Sequence, residues 1–194
     1  ADKAVFAYEL LYRNSANNAF PVGTSDEHAT SRLFFNTLML VGAEKLTAHQ
    51  LAFVNLSTDA LLDEFPKLLN PEHTVIEIVE RTVNIAAVAS RIKALKGQGY
   101  VFALDDYDGD EKWEPLLALV SYIKIEAEEP IIKTNMRVKK LKRSYPHCKI
   151  IVERIETYDQ FINLRDAGCD YFQGFFFARP EMLTYSGVDP SKVT

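Results

Sequence analysis

The sequence predicts an α/β fold, a β/α barrel of parallel strands with acidic residues gathered at the strand ends. Seven short runs of β-branched and aromatic residues recur along the chain, and amphipathic segments separate them. Near-continuous apolar runs are typical of strands that are buried on both faces, as in a parallel sheet. Nearly every run also contains, or is followed by, an acid or an amide. The predicted strands cover residues 5–12, 51–56, 74–78, 100–104, 122–125, 149–152 and 171–176.

Helices are predicted between the strands, because apolar residues recur there at helical spacing. The predicted helices cover residues 29–41, 83–96, 133–144 and 158–167, and glycines follow the second and the last of them. Alternation of strand and helix indicates βαβ units and one parallel sheet. Residues 14–26 are polar and contain Pro21 and Gly23, which indicates a loop.

Two architectures are compatible with this order, a barrel and an open doubly wound sheet. No glycine-rich phosphate loop follows the first predicted strand, which disfavours a dinucleotide-binding sheet. We therefore predict one barrel domain over residues 1–180. Residues 181–194 have no core pattern and are predicted to be a tail or a linker toward a further domain.

Composition narrows the class of protein. A net charge of −5 offers no basic surface for nucleic acid, so we predict no DNA partner. The two cysteines, Cys148 and Cys169, lack the spacing of a zinc site and are expected as buried thiols in a reducing compartment. No apolar stretch is long enough to span a membrane and no signal peptide is visible. The chain has 194 residues, and these observations predict a cytoplasmic location for it.

The polar residues in the strands carry the chemistry. A charge inside an apolar strand costs several kcal/mol unless it is paired or bound to a metal. In a barrel the carboxyl ends of the strands meet at one mouth, where several carboxylates repel one another unless a cation neutralises them. The residues in these positions are Glu9, Asn55, Glu77, Asp105, Asp106, Lys124, Glu153 and Gln173.

Oxygen ligands without histidine or cysteine favour Mg²⁺, Mn²⁺ or Ca²⁺ over zinc. The adjacent pair Asp105 and Asp106 suits two metals that share a bridging ligand. A lysine among the acids, Lys124, can hold a water and accept its proton if its pKa is depressed. This set suits phosphodiester hydrolysis, although the residue types leave other metal-assisted reactions open.

Seven segments, in order along the chain, resemble the motifs of the EAL domain, a bacterial phosphodiesterase of cyclic di-GMP. The first, Glu-Leu-Leu-Tyr-Arg at residues 9–13, is similar to the family's Glu-x-Leu-x-Arg, and Ile-Lys-Ile-Glu at 123–126 is similar to Leu-Lys-Ile-Asp. The other five lie at residues 54–57, 77–80, 104–107, 153–157 and 173–180.

The resemblance implies a two-metal site with Mg²⁺ or Mn²⁺, and pGpG as the product. It implies that Lys124 positions and deprotonates the attacking water. It assigns the other residues as follows: Glu9, Asn55, Glu77 and Asp105 to one metal; Asp105, Asp106 and Glu153 to the second metal or its water; Glu80 to anchoring the loop after the fourth strand; and Leu11, Arg13, Glu156 and Gln173 to substrate or to support of the site.

Three departures from the family pattern are visible. The loop at residues 107–113 reads Tyr-Asp-Gly-Asp-Glu-Lys-Trp, Ser121 replaces an aspartate, and Arg154 replaces a glycine. We hypothesise that the Arg154 guanidinium takes the place of a metal. The strand that precedes the first motif in the family is absent from this chain. The variant loop is similar to that of EAL domains followed by an HDOD domain, which implies such a partner and allows a homodimer. The alternative function is a silent cyclic di-GMP receptor or a protein-interaction module.

Overall fold

The computed structural model describes residues 4–11 and 46–180. Arg13, the predicted loop at 14–26, the predicted helix at 29–41 and the predicted tail at 181–194 lie outside these residues. The domain boundary after residue 180 therefore stays a prediction.

A single parallel sheet forms the centre of the described structure. Its strands follow one another in chain order, each paired with the next. The strands are β1 (Ala7–Leu10), β2 (Leu51–Leu56), β3 (Thr74–Ile78), β4 (Val101–Leu104), β5 (Tyr122–Glu126), β6 (Lys149–Glu153) and β7 (Tyr171–Phe172). Sequential order is that of a barrel, whereas a doubly wound sheet reverses direction at its centre. The predicted barrel fold is therefore confirmed.

The sheet curls until its two outer strands face each other. No ladder joins β1 to β7 in the described residues, yet the rings of Phe6 and Tyr171 stack with centroids 4.0 Å apart. Near the other end of the same strands, Gln173 Nε2 donates a hydrogen bond of 2.8 Å to Glu9 Oε2. As predicted, the described sheet begins with the strand that carries Glu9, with no strand before it.

Helices pack on the outside of the sheet. They are α1 (Thr58–Leu62), α2 (Ile85–Lys96), α3 (Glu114–Leu117), α4 (Ile132–Ser144) and α5 (Tyr158–Asp166), with 3₁₀ turns at Phe65–Leu68 and Glu111–Trp113. Three of the predicted helices appear here as α2, α4 and α5. Helix α5 begins with a capping box between Thr157 and Gln160, which satisfies backbone donors at its first turn. None of the described helices has the length and apolar character needed to cross a membrane.

Two apolar clusters hold the fold together. The larger one fills the space between the sheet and the helices and includes Phe102, Ile92 and Trp113, all fully buried. The smaller one lies inside the curled sheet and includes Phe53, Val75, Ala103 and Ile151. Burial of each phenylalanine, valine or isoleucine side chain stabilises the folded state by about 1.5–3 kcal/mol.

The last strand is shorter than predicted. It ends at Phe172 instead of residue 176, because Gly174 turns the chain with φ +151° against the backbone of Ile155. Phe175, which lies within the predicted strand 171–176, is 63% exposed, so the predicted end of that strand was wrong. Phe176 and Phe177 do pack against the larger cluster, but from the turn and not from a strand.

Candidate active site

The acids and the inner apolar cluster occupy the same face of the sheet, two residues apart along each strand. Side chains alternate between faces of a strand, so the residue two positions on points to the same side and lies nearer the carboxyl end. The pairs are Ala7 and Glu9, Phe53 and Asn55, Val75 and Glu77, Ala103 and Asp105, Tyr122 and Lys124, Ile151 and Glu153, and Tyr171 and Gln173. The inner cluster therefore closes one end of the curled sheet, and the polar residues lie at the other end, which is open to solvent.

Lys124 lies at the centre of the polar residues. Its Nζ is 2.7 Å from Glu77 Oε1, 2.8 Å from Asp105 Oδ1, 3.0 Å from Glu153 Oε1 and 3.3 Å from Glu9 Oε2. The lysine is 1% exposed and Glu77 is fully buried. Strands β1, β3, β5 and β6, with the residue just after β4, thus bring one ammonium and four carboxylates together.

Two amides orient Glu9 within this group. Asn55 Nδ2 donates to Glu9 Oε1 at 3.3 Å, and Gln173 Nε2 donates to Glu9 Oε2 at 2.8 Å. Both oxygens of Glu9 are thus engaged by side chains from the neighbouring strand β2 and from the residue after β7. These contacts hold the first strand against the last at the mouth.

Burial and mutual charge perturb the acids. Burial raises the pKa of Glu77 well above its usual range, opposed by the Lys124 ammonium. Burial also raises the pKa of Asp105, and it raises the pKa of Glu153 to about 7. A carboxyl with a pKa near neutrality can take up or release a proton under physiological conditions.

The charge state of Lys124 differs from what sequence reasoning required of a base. Burial by itself would lower the pKa of this lysine, but the surrounding carboxylates, Glu77 foremost, raise it well above the usual value. Lys124 therefore stays protonated in this arrangement and acts as a hydrogen-bond donor. A depressed pKa, which would let it accept a proton from water, is not found.

A second acidic group lies at the rim. One carboxylate oxygen from each of Glu80, Asp105 and Asp106 lies within 4.8 Å of the others. Burial, followed by the charges of Glu126 and Glu80, raises the pKa of Asp106. Asp106 has φ +44°, a backbone conformation that side-chain-bearing residues rarely adopt. Sequence reasoning gave Glu80 the part of anchoring a loop, whereas the structure places its carboxylate beside the paired aspartates.

The donor set fits a divalent cation. Asn55 Oδ1 and Glu77 Oε2 are buried and accept no hydrogen bond from the described residues. Buried oxygens of this kind are costly unless something binds them. Every other candidate ligand is a carboxylate oxygen, the type that Mg²⁺, Mn²⁺ and Ca²⁺ prefer. Glu9, Asn55, Glu77 and Asp105 would hold one ion, and Asp106 and Glu80 with Asp105 would hold another.

A cavity of about 450 Å³ opens above these groups, within the range of small-molecule sites. The predicted residues Leu11, Glu156 and Gln173 lie in its wall, as does the exposed ring of Phe175. Sequence reasoning missed Glu126 as a wall residue. Glu126 follows Lys124 by two positions on β5, so strand alternation was the signal that could have found it.

The variant loop is anchored to the barrel. Trp113 is fully buried, and its Nε1 donates to Asp108 Oδ1 at 3.0 Å, so this ring packs the loop onto the barrel. Arg137 from α4 donates to the carbonyl oxygen of Tyr107, and its NH1 lies 3.0 Å from Glu128 Oε1. The loop that follows Asp105 and Asp106 is therefore held at both of its ends.

Two known bacterial proteins are similar to this chain in sequence. The chain is 36% identical over 192 residues to the uncharacterized protein YuxH of Bacillus subtilis, and the aligned region covers 96% of this chain and 46% of YuxH. It is 31% identical over 194 residues to the cyclic di-GMP phosphodiesterase CdgJ of Vibrio cholerae, and the aligned region covers 100% of this chain and 45% of CdgJ. The chain thus spans about half the length of the curated relatives it matches. No model of a known protein family matches it.

Among solved structures, the fold is similar to that of the Bacillus subtilis YkuI protein, which has an EAL domain and was determined in complex with substrate c-di-GMP and calcium. The TM-score is 0.72 at 18% identity, over 93% of this chain and 52% of that one. Together with the identity to CdgJ, this fold confirms the resemblance to the EAL domain drawn from the seven motifs, whereas the subgroup followed by an HDOD domain stays a prediction.

Proposed function

We propose, from the premise that this chain is a barrel of the EAL type, that it hydrolyses cyclic di-GMP to linear pGpG in bacterial second-messenger signalling. The observation that carries the proposal is the buried Lys124 within 3.3 Å of four carboxylates, beneath a cavity open to solvent. The substrate class is supported by the activity named for CdgJ and by the ligand of the YkuI complex.

The reaction we propose depends on Mg²⁺ or Mn²⁺. Glu9, Asn55, Glu77 and Asp105 would hold one ion, and the second would be held by Asp105 and Asp106 with Glu80 or Glu153. Bound there, the ions supply Lewis acidity, which lowers the pKa of a water and offsets charge on the phosphoryl oxygens. The two buried oxygens without a hydrogen bond, on Asn55 and Glu77, support this ligand set.

The chain's own residues would then orient the water and handle its proton. Lys124, kept protonated by its neighbours, donates a hydrogen bond to the attacking water and orients it toward phosphorus. Glu153, whose Oε1 lies 3.0 Å from Lys124 Nζ, is the carboxylate that we propose takes the proton of this water. The phosphorus–O3′ bond breaks as the new phosphorus–oxygen bond forms, and the leaving 3′ oxygen takes a proton from solvent water.

Chromatography of cyclic di-GMP incubated with the chain and Mg²⁺ or Mn²⁺ tests the proposal. We expect pGpG to accumulate, and we expect Lys124→Ala to lower its rate at least about 10²-fold. The matched control is Lys140→Ala, which removes an exposed lysine of α4. Intact cyclic di-GMP with the unaltered chain, together with no effect of Lys124→Ala, would contradict the enzyme proposal.

A receptor is the second candidate, because the variant loop and Arg154 depart from the family pattern and Lys124 is already engaged by four acids. Calorimetry that detects cyclic di-GMP binding without turnover would support a receptor, and absence of binding would support an interaction module.

We further propose a cytoplasmic location, consistent with the free, buried thiols Cys148 and Cys169. A homodimer and an HDOD domain after residue 180 remain proposals.

A further inference from the structure

Arg154 lies at the mouth of the cavity, directly after Glu153 at the end of β6. Its NH2 is 2.5 Å from Glu126 Oε1, and its side chain is 70% exposed. Arginine carries five N–H donors in a planar fork, and this ion pair is its one salt bridge among the described residues. Most of the guanidinium therefore stays available to a ligand in the cavity.

The charge around the cavity makes this cation important. The described wall includes six carboxylates, and its cations are Lys124 and Arg154. Lys124 is buried and surrounded by four acids, so within residues 4–11 and 46–180 Arg154 is the wall cation that reaches solvent. A dinucleotide brings further negative charge to this mouth, and an exposed guanidinium can bind it.

The backbone of Arg154 indicates that its side chain has a use. Its φ is +58°, in the left-handed region, where a residue with a Cβ incurs a steric cost that glycine avoids. The family resemblance has glycine at this place. A bulky residue kept in a strained conformation at a cavity mouth is typical of a functional position.

The location of the ion pair separates two uses of this cation. The acids whose oxygens gather as a candidate ion site at the rim are Glu80, Asp105 and Asp106. Arg154 forms its ion pair with Glu126, which is not one of them, and it acts on Asp106 only through its charge, which lowers the pKa of that carboxyl against the stronger effect of burial. The guanidinium thus lies beside the acids that would hold ions, which does not favour the hypothesis that it replaces a metal.

We infer that Arg154 binds a phosphate group of the substrate, as a contact particular to this chain, with Glu126 orienting the guanidinium. The planar fork presents parallel N–H groups that match two phosphate oxygens. The inference rests on the proposed function for the identity of its ligand, but it concerns affinity and not turnover.

Calorimetric titration of the full chain with cyclic di-GMP, in the presence of Ca²⁺, tests the inference. We expect Arg154→Gln to raise the Kd about 10- to 100-fold, the range of charge-assisted hydrogen bonds. Arg154→Gly should weaken binding equally while leaving the thermal midpoint no lower than that of the unaltered chain, since glycine accepts the positive φ. This second variant excludes a folding defect as the cause.

Arg165→Gln is the matched control, because Arg165 also pairs with an acid, Asp166 at 2.8 Å, away from the cavity. Its Kd should stay within twofold of the unaltered chain. The inference is overturned if Arg154→Gln binds cyclic di-GMP as tightly as the unaltered chain, or if it takes up one more Ca²⁺ per chain, which would place the guanidinium at an ion site. Hydrolysis by the unaltered chain would survive either result, so the two proposals fail separately.

Discussion

Lys124 Nζ lies 2.7 Å from Glu77 Oε1, with the two side chains 2% and 0% exposed. An ion pair this deeply buried is stabilising only while both partners are present, because each charge offsets the desolvation of the other. Three more carboxylates share the same ammonium, so negative charge is in excess around it. The stability of the barrel and its capacity to bind a cation are therefore coupled through these residues.

Replacing the ammonium should destabilise the metal-free chain. Lys124→Met leaves Glu77 buried without its partner, and we expect a loss of about 3 kcal/mol in the free energy of unfolding. Urea unfolding at pH 8 in the presence of a chelator measures the loss. The same substitution at exposed Lys140 should change the free energy by less than about 0.5 kcal/mol. Equal stability of the two variants would contradict the buried ion pair.

A divalent ion should stabilise the folded chain. Binding to the native state alone adds about 2.7 kcal/mol when the ion is at 100 times its Kd, so the thermal midpoint should rise with Mg²⁺ or Mn²⁺ and fall again with a chelator. Glu77→Gln should reduce that rise, because it removes the charge of a buried candidate ligand. Glu72→Gln, at an exposed position before β3, should not. An equal rise in both variants would exclude Glu77 as a ligand.

Acidification should stabilise the metal-free chain between about pH 7 and pH 4.5. The pKa of Glu153 is raised from 4.5 to about 7 in the folded state, so the folded chain binds this proton more tightly than the unfolded chain does. Its contribution is fully present below pH 4.5 and is lost as the pH rises to about 7. A difference of about 2.5 pH units corresponds to about 3 kcal/mol.

The pKa values of Glu77 and Asp105 are raised in the same direction, so they add to this trend. Urea unfolding from pH 5 to pH 8 with a chelator measures it. Glu153→Gln should flatten the pH dependence, since the amide does not titrate. Stability that rises with pH over this range would contradict the raised pKa values of Glu153, Glu77 and Asp105.

Alanine at Gly174 should disturb both the fold and the mouth. A Cβ at this position would come within 2.3 Å of the backbone of Ile155. Gly174 directly follows Gln173, whose side chain donates a hydrogen bond to Glu9. We expect a loss of about 3 kcal/mol from overpacking and strain together. Gly99 has φ +93°, but a methyl group added there would meet nothing within 4 Å, so Gly99→Ala should cost only about 1–2 kcal/mol of backbone strain. Thermal unfolding of both variants compares the two losses.

The strand order followed from the sequence because parallel strands are buried on both faces and leave continuous apolar runs. Strands β2 and β3 begin and end where they were predicted. Their paired positions, Phe53 with Asn55 and Val75 with Glu77, alternate by two, so the same face was bound to carry an apolar residue and then a polar one. The end of β7 was wrong because a turn at Gly174 depends on contact with Ile155, which is distant in sequence.

By itself, the sequence determined which residue types stand at the strand ends, and hence that acids and one lysine share a mouth. Only the tertiary structure decided their number around Lys124 and the direction in which its pKa moves. Burial lowers the pKa of Lys124. The carboxylates of β1, β3, β6 and the residue after β4 raise it, and their combined effect is larger than that of burial. Distances of about 3 Å between residues up to 115 positions apart set that combined effect, and local sequence carries no measure of them.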